Sequence, residues 1–142
     1  MATAGYLLDA NIFRLYAEGD VGTVERVFSH IDRVFLSSVT VEEMVVGRLN
    51  IVNRARGGKT PISLPESHEE FAELLADIRP FPVLVYSSKA EARFQAFPAA
   101  LRRRGPQDCR IAAQALAHGV TVVTRNRRDF EAIGAPCDDW SA

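Results

Sequence analysis

The chain has 142 residues with 47% apolar and 25% charged side chains and a formal net charge of −1, which predicts one globular domain spanning residues 1–142. No apolar run approaches the roughly 20 residues that cross a bilayer. Unlike a secretory signal, the N-terminal segment has no basic side chain and soon reaches an aspartate. We therefore expect a cytoplasmic protein with no membrane contact. Residues 101–130 hold seven arginines against two aspartates while the remainder is acidic, a pattern that suits either an anionic substrate or a solvated basic surface.

The first predicted element is an apolar strand that stops at an acidic residue. Tyr6–Leu8 forms this strand, and Asp9 follows it as a residue type that suits a strand end or a helix cap. Apolar residues at helical spacing then predict a short helix over residues 12–17 and an amphipathic helix over residues 24–31. Asp9 is therefore expected at the carboxyl tip of the first strand.

A second strand, Val34–Ser37, leads into another helix. Residues 40–43, Thr-Val-Glu-Glu, have the S/T-x-x-E form of a capping box. They predict a helix that opens at Thr40 and carries Glu43 in its first turn. Two glycines and two prolines within residues 53–65 predict a loop inside the domain.

The middle of the chain predicts one more strand between helices. Apolar residues over 67–78 are typical of an amphipathic helix, and residues 82–86 form the third apolar strand. Ser88 is a possible cap for the next helix, which Pro98 ends or kinks. Residues 101–105 predict a basic turn.

Residues 105–130 are the most informative stretch. A helix opens on Asp108 and ends at Gly119, and the apolar run over 120–124 predicts a buried strand. A basic, polar turn carrying Asp129 follows that strand. Residues 136–140 add a possible short edge strand.

The alternation of strands and helices predicts an α/β fold with a mostly parallel sheet of four or five strands and helices on both faces. Ligands of such folds bind outside the carboxyl ends of the strands. Four acidic side chains are predicted at that edge. They are Asp9, Glu43, Asp108 and Asp129.

Four converging carboxylates repel one another unless a cation lies between them. The two cysteines, Cys109 and Cys137, belong to no metal-binding or disulfide pattern. Oxygen ligands alone favour Mg²⁺ or Mn²⁺ over zinc. The sequence therefore predicts that all four acids bind metal and take part in phosphodiester hydrolysis.

Each acid also has a local explanation. Asp9 suits a helix cap, Glu43 suits the capping box, and Asp108 is favoured by the dipole at a helix start. Asp129 suits a surface ion pair with a nearby arginine. The placement of all four at one sheet edge is what favours the metal site over these separate roles.

Five segments in this order resemble the PIN domain family, and in particular its VapC-type toxins of bacterial toxin–antitoxin pairs. The segments are LLDAN, SSVTVEEM, QDCRIAAQALAHG, VTVVTRNRRDF and DDW. The resemblance implies a Mg²⁺- or Mn²⁺-dependent endoribonuclease that cleaves structured RNA such as tRNA or rRNA. It also implies a homodimer that a cognate antitoxin protein inhibits.

By position, Asp9, Glu43 and Asp108 match the three main acids of that family. Many PIN domains place the fourth acid where this chain has Asn126. Either Asn126 contributes an amide oxygen, or Asp129 completes the site from three residues further on.

Polar and basic residues near the same edge receive supporting roles. Thr124 and Asn11 are expected to orient a carboxylate or a water, and capping a turn is the alternative role for each. Three arginines that flank the site are predicted to bind RNA phosphates. They are Arg125, Arg127 and Arg128. The arginines at 102–104 either share this role or contact a partner protein.

Other readings of the sequence stay open. A catalytically weak PIN-like module that binds RNA or protein is the main alternative, and another Mg²⁺-dependent phosphohydrolase is disfavoured because no Gly-rich phosphate loop is present. The antitoxin is expected to dock on a groove of the early helices. The residues assigned to that groove are Phe13, Tyr16, Val45 and Leu49.

Overall fold

A computed structural model describes residues 3–141 of the chain as an α/β fold. The strands are β1 (Tyr6–Leu8), β2 (Val34–Ser37), β3 (Val83–Leu84), β4 (Thr121–Val123) and β5 (Cys137–Asp138). The helices are α1 (Ala10–Ala17), α2 (Val21–Ser29), α3 (Ser38–Arg56), α4 (Leu64–Ile78), α5 (Ser88–Ala96), α6 (Ala99–Arg104), α7 (Pro106–His118) and α8 (Arg127–Ile133). A 3₁₀ turn, Ile31–Arg33, precedes β2. None of the helices within residues 3–141 is long and apolar enough to cross a membrane.

The five strands form one parallel sheet in the order β3-β2-β1-β4-β5. At its centre, Leu8 pairs in register with Leu36 on one side and with Val123 on the other. All five strands therefore end at the same edge. The predicted parallel sheet is confirmed, and the short strand predicted within 136–140 is β5.

Apolar side chains cover both faces of the sheet. Leu8 packs on one face with Ile12 and Val27, while its neighbour Leu7 packs on the other with Ile111. This alternation follows from the two-residue period of a strand. The predicted helical layers on both faces are confirmed, as expected for a buried parallel sheet.

The start of α3 differs from the predicted capping box. The helix begins at Ser38, and the hydroxyl of Ser37 at the end of β2 accepts a hydrogen bond of 3.0 Å from the Val39 N–H. Ser37 supplies the capping oxygen three residues earlier than Thr40 would. Glu43 consequently lies in the second turn of the helix, not in the first.

The predicted loop over residues 53–65 is shorter in the structure. Helix α3 continues to Arg56, and α4 begins at Leu64 with a capping box between Ser63 and Glu66. Pro65 fits inside that first turn because its missing N–H would have no partner within the helix.

Two segments predicted as turns are helical. The basic residues 101–105 largely belong to α6, and Asp129 lies in the first turn of α8. The third strand is two residues long, and Ser87 rather than Ser88 caps α5 through a hydrogen bond of 3.2 Å from the Ala90 N–H. Arginine is a good helix former, so a run of arginines does not by itself indicate a turn.

Candidate active site

Asp9 lies where β1 ends and α1 begins. Its Oδ1 accepts a hydrogen bond of 2.9 Å from the Ile12 N–H, and its own N–H donates to the Val123 carbonyl of the neighbouring strand at 3.0 Å. Burial raises the pKa of Asp9, the hydroxyl of Thr124 and backbone N–H groups lower it in part, and the charge of Asp139 raises it further. Asp9 is therefore both a helix cap and a partly desolvated carboxylate.

Asp108 lies in the first turn of α7, two residues after the helix begins at Pro106. Partial burial raises its pKa, and the nearby charges of Asp9 and Asp129 raise it further. Asp108 is therefore close enough to both Asp9 and Asp129, which belong to other elements, for their charges to act on it.

Glu43 approaches the same edge from α3. Its side chain is exposed, yet surrounding protein atoms raise its pKa, and Asp108 and Glu42 add repulsion. One helical turn earlier, the hydroxyl of Thr40 is buried and has no hydrogen-bond partner within residues 3–141. A buried hydroxyl without a partner is costly and therefore indicates a place where a polar ligand or water is accommodated.

Asn126 and Asp129 form a pair at the start of α8. The Asn126 amide donates to Oδ2 of Asp129, and the Asn126 N–H donates to the Thr124 hydroxyl at 2.9 Å. Both side chains are exposed. In this arrangement the Asn126 amide and the Asp129 carboxylate are hydrogen-bonded to each other.

The structure thus brings all four predicted acids to the carboxyl edge of the sheet. They are not tightly clustered: within residues 3–141 no three His, Cys, Asp or Glu side chains lie close enough to hold a metal ion. Burial is the main cause of the raised pKa values of Asp9, Glu43 and Asp108, and the charge of a nearby carboxylate adds to each rise. Oxygen ligands with unrelieved repulsion suit a hard divalent cation chemically.

A pocket of about 180 Å³, here called the acidic pocket, opens beside Asp108 and Asp129. Its other lining residues are Leu101, Arg104, Gly105, Cys109 and Ile133. Cys109 is buried, and burial raises the pKa of its thiol, with the Asp108 charge adding to the rise. The thiol is therefore protonated and inert, and the pocket offers carboxylates and one guanidinium.

The three arginines predicted to bind RNA are exposed, but they do not share one environment. Arg127 forms an ion pair of 3.2 Å with Glu131. The charge of Arg125 contributes to the lowered pKa of Asp20, after the hydrogen bonds from Thr23. Arg128 makes no hydrogen bond or ion pair within residues 3–141. None of the three lines the acidic pocket.

The two residues predicted to support the acids differ. Thr124 is fully buried and interacts with Asp9 as well as with the Asn126 N–H. Asn11 is exposed and its side chain accepts a hydrogen bond from Arg14, while only its backbone N–H serves Asp9. Thr124 is thus in contact with Asp9 through its side chain, whereas the Asn11 side chain is paired with Arg14.

Sequence reasoning did not include Asp139 among the acids at this edge. It lies just after β5, and its charge raises the pKa of Asp9. Its Oδ1 accepts a hydrogen bond of 2.8 Å from the Ser141 N–H, and its carbonyl accepts one of 3.0 Å from Arg26. The sequence offered one signal for Asp139, the acidic DDW segment that contains it. That signal does not place Asp139 near Asp9, because the placement depends on the pairing of β5 with β4.

A second concavity of about 320 Å³, here called the α1–α3–α4 groove, lies between those helices. Its lining residues are Ala10, Phe13, Arg14, Ala17, Met44, Gly47, Arg48, Ile51, Glu73, Leu74 and Asp77. Of the residues assigned to a docking groove from sequence, Phe13 lies here, while Tyr16, Val45 and Leu49 do not line it.

Comparison with known proteins identifies the family. The PIN domain model matches residues 6–136, so the chain belongs to the PIN domain family. The chain is also similar to the tRNA(fMet)-specific endonuclease VapC of Shigella flexneri, with 28% identity over 96% of this chain and 98% of the relative.

Solved structures agree with this assignment. A chain in the DNA-bound VapBC structure from Salmonella typhimurium matches with a TM-score of 0.74 and 26% identity, covering 96% of this chain and 98% of that one. VapBC2 from Rickettsia felis, bound to a DNA fragment from its promoter, shares the fold with a TM-score of 0.71 and 18% identity, covering 95% and 98%. The predicted PIN fold is confirmed, and these matches support a PIN-domain ribonuclease toxin of the VapC type.

Proposed function

We propose that the chain is a Mg²⁺- or Mn²⁺-dependent endoribonuclease and the toxin of a toxin–antitoxin pair. The observation that carries this proposal is the edge of acids, in which Asp108 is repelled by both Asp9 and Asp129 and in turn repels Glu43. Separate capping roles do not explain why acids from four elements converge. A nuclease site that needs a cation does explain it.

The ligands fit a divalent cation that keeps much of its water shell. Mg²⁺ usually takes one or two carboxylates and completes its coordination with waters and substrate phosphate. Asp9 and Asp108 are the leading ligands, and the absence of a tighter group within residues 3–141 is compatible with such a site. When bound, the ion supplies charge neutralisation at the phosphate and a lower pKa for a coordinated water.

The protein residues then have distinct tasks. Glu43 faces the site from a different helix and is the candidate to orient the attacking water and accept its proton. Asp129 is held by Asn126 and completes the acidic edge. Thr124 fixes the Asp9 carboxylate from its buried position.

The substrate and partner follow from the relatives. A relative that is a tRNA(fMet)-specific endonuclease favours a structured RNA such as tRNA over other phosphodiesters, and rRNA is the second choice. The VapBC neighbours favour a cognate antitoxin protein as the inhibitor. A cytoplasmic homodimer completes the proposal, with RNA and antitoxin both reached in that compartment.

The α1–α3–α4 groove is the proposed docking surface for an antitoxin segment. It is mainly apolar, with Arg14 on α1, Arg48 on α3, and Glu73 and Asp77 on α4 as its charged residues. The Nε of Arg48 is buried and has no hydrogen-bond partner within residues 3–141. A bound peptide that places an acceptor there would satisfy this donor.

Cleavage of total cellular RNA tests the enzyme directly. The purified chain is incubated with Mn²⁺, Mg²⁺ or EDTA beside an Asp9→Asn/Asp108→Asn double variant. Discrete fragments that need metal and disappear in the variant are expected, and end-mapping then identifies the target. Equal RNA integrity for both proteins, with binding retained, would instead favour a module that binds RNA without cutting it.

A further inference from the structure

We propose that Arg104 binds an RNA phosphate at the acidic pocket, a role that rests on the proposed nuclease function. Arg104 is the one basic side chain that lines this pocket with Asp108 and Asp129.

The guanidinium of Arg104 is available for a ligand. It is exposed and makes no hydrogen bond or ion pair with any residue in 3–141. Arg102, by contrast, donates to the Phe97 carbonyl and to Gln95, each at 3.1 Å. Arg110 donates to Gln107 at 2.6 Å and stacks on the Phe94 ring at 4.7 Å.

The backbone fixes Arg104 relative to Asp108. Gly105 ends α6 and precedes α7, its N–H donates to the Leu101 carbonyl at 3.3 Å, and its carbonyl accepts from the Cys109 N–H at 3.0 Å. Both helices are thus hydrogen-bonded to the same residue. The backbone of Arg104 is thereby held beside the pocket that its side chain helps to line.

Electrostatics explains why such a residue is needed. Asp9, Glu43, Asp108 and Asp129 repel the polyanionic RNA that the site must receive, and two of them flank the pocket itself. A guanidinium matches phosphate with two parallel hydrogen bonds and stays charged at all working pH values. Arg104 is placed to offset the repulsion where the strand enters.

The test compares Arg104→Ala with Arg103→Ala and Arg104→Lys in Mn²⁺-dependent cleavage of unfractionated bacterial tRNA. Arg103 is the matched control because it is exposed, adjacent and outside the pocket lining. Arg104→Ala is expected to raise KM about 10-fold with little change in kcat, since one charge-assisted contact is lost. Arg104→Lys should recover part of that loss because it keeps the charge but not the fork.

Salt dependence adds a second readout. The slope of log KM against log salt should fall by about 0.7 in Arg104→Ala, as for one fewer phosphate contact with a single strand, and stay unchanged in Arg103→Ala. Equal KM increases in the two alanine variants would overturn the proposal, because RNA binding would then depend on the overall positive charge of this region and not on a contact made by Arg104. A fall in kcat without a KM change would overturn it as well.

A binding measurement tests the role of Arg104 even if the chain cleaves no RNA. Binding of fluorescein-labelled tRNA is measured in the Asp108→Asn background with and without Arg104→Ala. Weaker binding caused by Arg104→Ala, but not by Arg103→Ala, supports the phosphate contact even if the unmodified chain cleaves no RNA. Unchanged binding in both variants overturns it while leaving cleavage by the unmodified chain untouched.

Discussion

Two concavities within residues 3–141, the α1–α3–α4 groove and the acidic pocket, differ in size and in chemistry. The α1–α3–α4 groove measures about 320 Å³ and is mainly apolar, whereas the acidic pocket measures about 180 Å³ and contains Asp108, Asp129 and Arg104. The larger one has the features of a peptide-docking surface. The smaller one holds Asp108, whose pKa is raised mainly by burial, so ionisation is a better guide to the chemistry here than volume.

Helix α1 connects the groove with the acidic edge of the sheet. Asp9 caps its start at the acidic edge, while Phe13 and Arg14 in the next turn line the groove. A segment bound in the groove therefore packs on the same helix that holds an acid of the site. Separate substitutions in the two regions can test whether catalysis and inhibition are divided as this geometry implies.

The largest expected effect is in the acidic pocket. Asp108→Asn should reduce RNA cleavage roughly 1,000-fold. The substitution removes a charged ligand of the cation, and the cation stabilises the transition state by several kcal/mol. Asp77→Asn is the matched control, since Asp77 lines the groove instead. Rates are measured on end-labelled RNA under single-turnover conditions, and a comparable loss in Asp77→Asn would contradict the division.

The next effect concerns the groove. Gly47 lies in α3 and lines the groove, and a side-chain carbon added there meets nothing within 4 Å, so Gly47→Trp should direct its ring over the groove. We expect inhibition by the cognate antitoxin to weaken on the order of 30-fold, as for loss of a hot spot, with cleavage intact. Gly47→Ala is the control and should retain inhibition. Titration of the antitoxin into cleavage reactions measures both, and full inhibition of Gly47→Trp would place docking elsewhere.

A smaller effect is expected from the support of Asp129. Asn126→Ala removes the amide that donates to its carboxylate and should lower cleavage about 10-fold, the lower end for residues that orient metal ligands. Asp129→Asn should cost more, because it removes the carboxylate itself. A larger loss in Asn126→Ala than in Asp129→Asn, measured on the same RNA, would show that the amide acts directly.

The smallest effect is on stability, and its sign depends on metal. The folded chain raises the pKa of Asp9 above its ordinary 3.8, so the folded state binds that proton more tightly than the unfolded chain does. Without metal, this group's contribution to stability therefore falls as pH rises from 3.8 to the raised value, and the loss persists at neutral pH. Asp9→Asn removes the charge and keeps the cap, so its Tm at pH 7 in EDTA should exceed that of the unmodified chain by about 3 °C.

Adding Mn²⁺ should reverse that difference, because the ion stabilises a protein that retains the carboxylate. Calorimetry across pH 4–8 with EDTA or Mn²⁺ measures both signs. Asp9→Ala is the control for the helix cap, since it loses charge and capping together. A lower Tm for Asp9→Asn in EDTA would show that the ionised carboxylate stabilises the metal-free fold.

The central part of the fold could be predicted from local patterns. Tyr6–Leu8 and Val34–Ser37 were predicted with their observed bounds because short apolar runs ended at polar residues. The end of α7 at Gly119 was also predictable, since its φ of 66° suits a residue without a side chain. The order of the acids along the chain then indicated the edge at which they meet.

The errors arose where two local signals competed or where contacts were distant in sequence. Ser37 caps α3 in preference to Thr40, and the charged residues of α6 and α8 obscured two short helices. The position of Asp139 depends on β5 adding to the sheet edge, which no local pattern specifies. The hydrogen bond between Asn126 and Asp129 likewise depends on side-chain geometry that the sequence pattern does not specify.

The C-terminal segment carries a natural optical probe. Trp140, the single tryptophan in the sequence, is 2% exposed, and its ring stacks on His30 at 4.9 Å with a 22° interplanar angle. Its indole N–H donates to Asp138 at 3.2 Å, and the intervening Asp139 acts on Asp9. Tryptophan fluorescence of this chain therefore reports from one place only, next to the Asp139 charge that raises the pKa of Asp9.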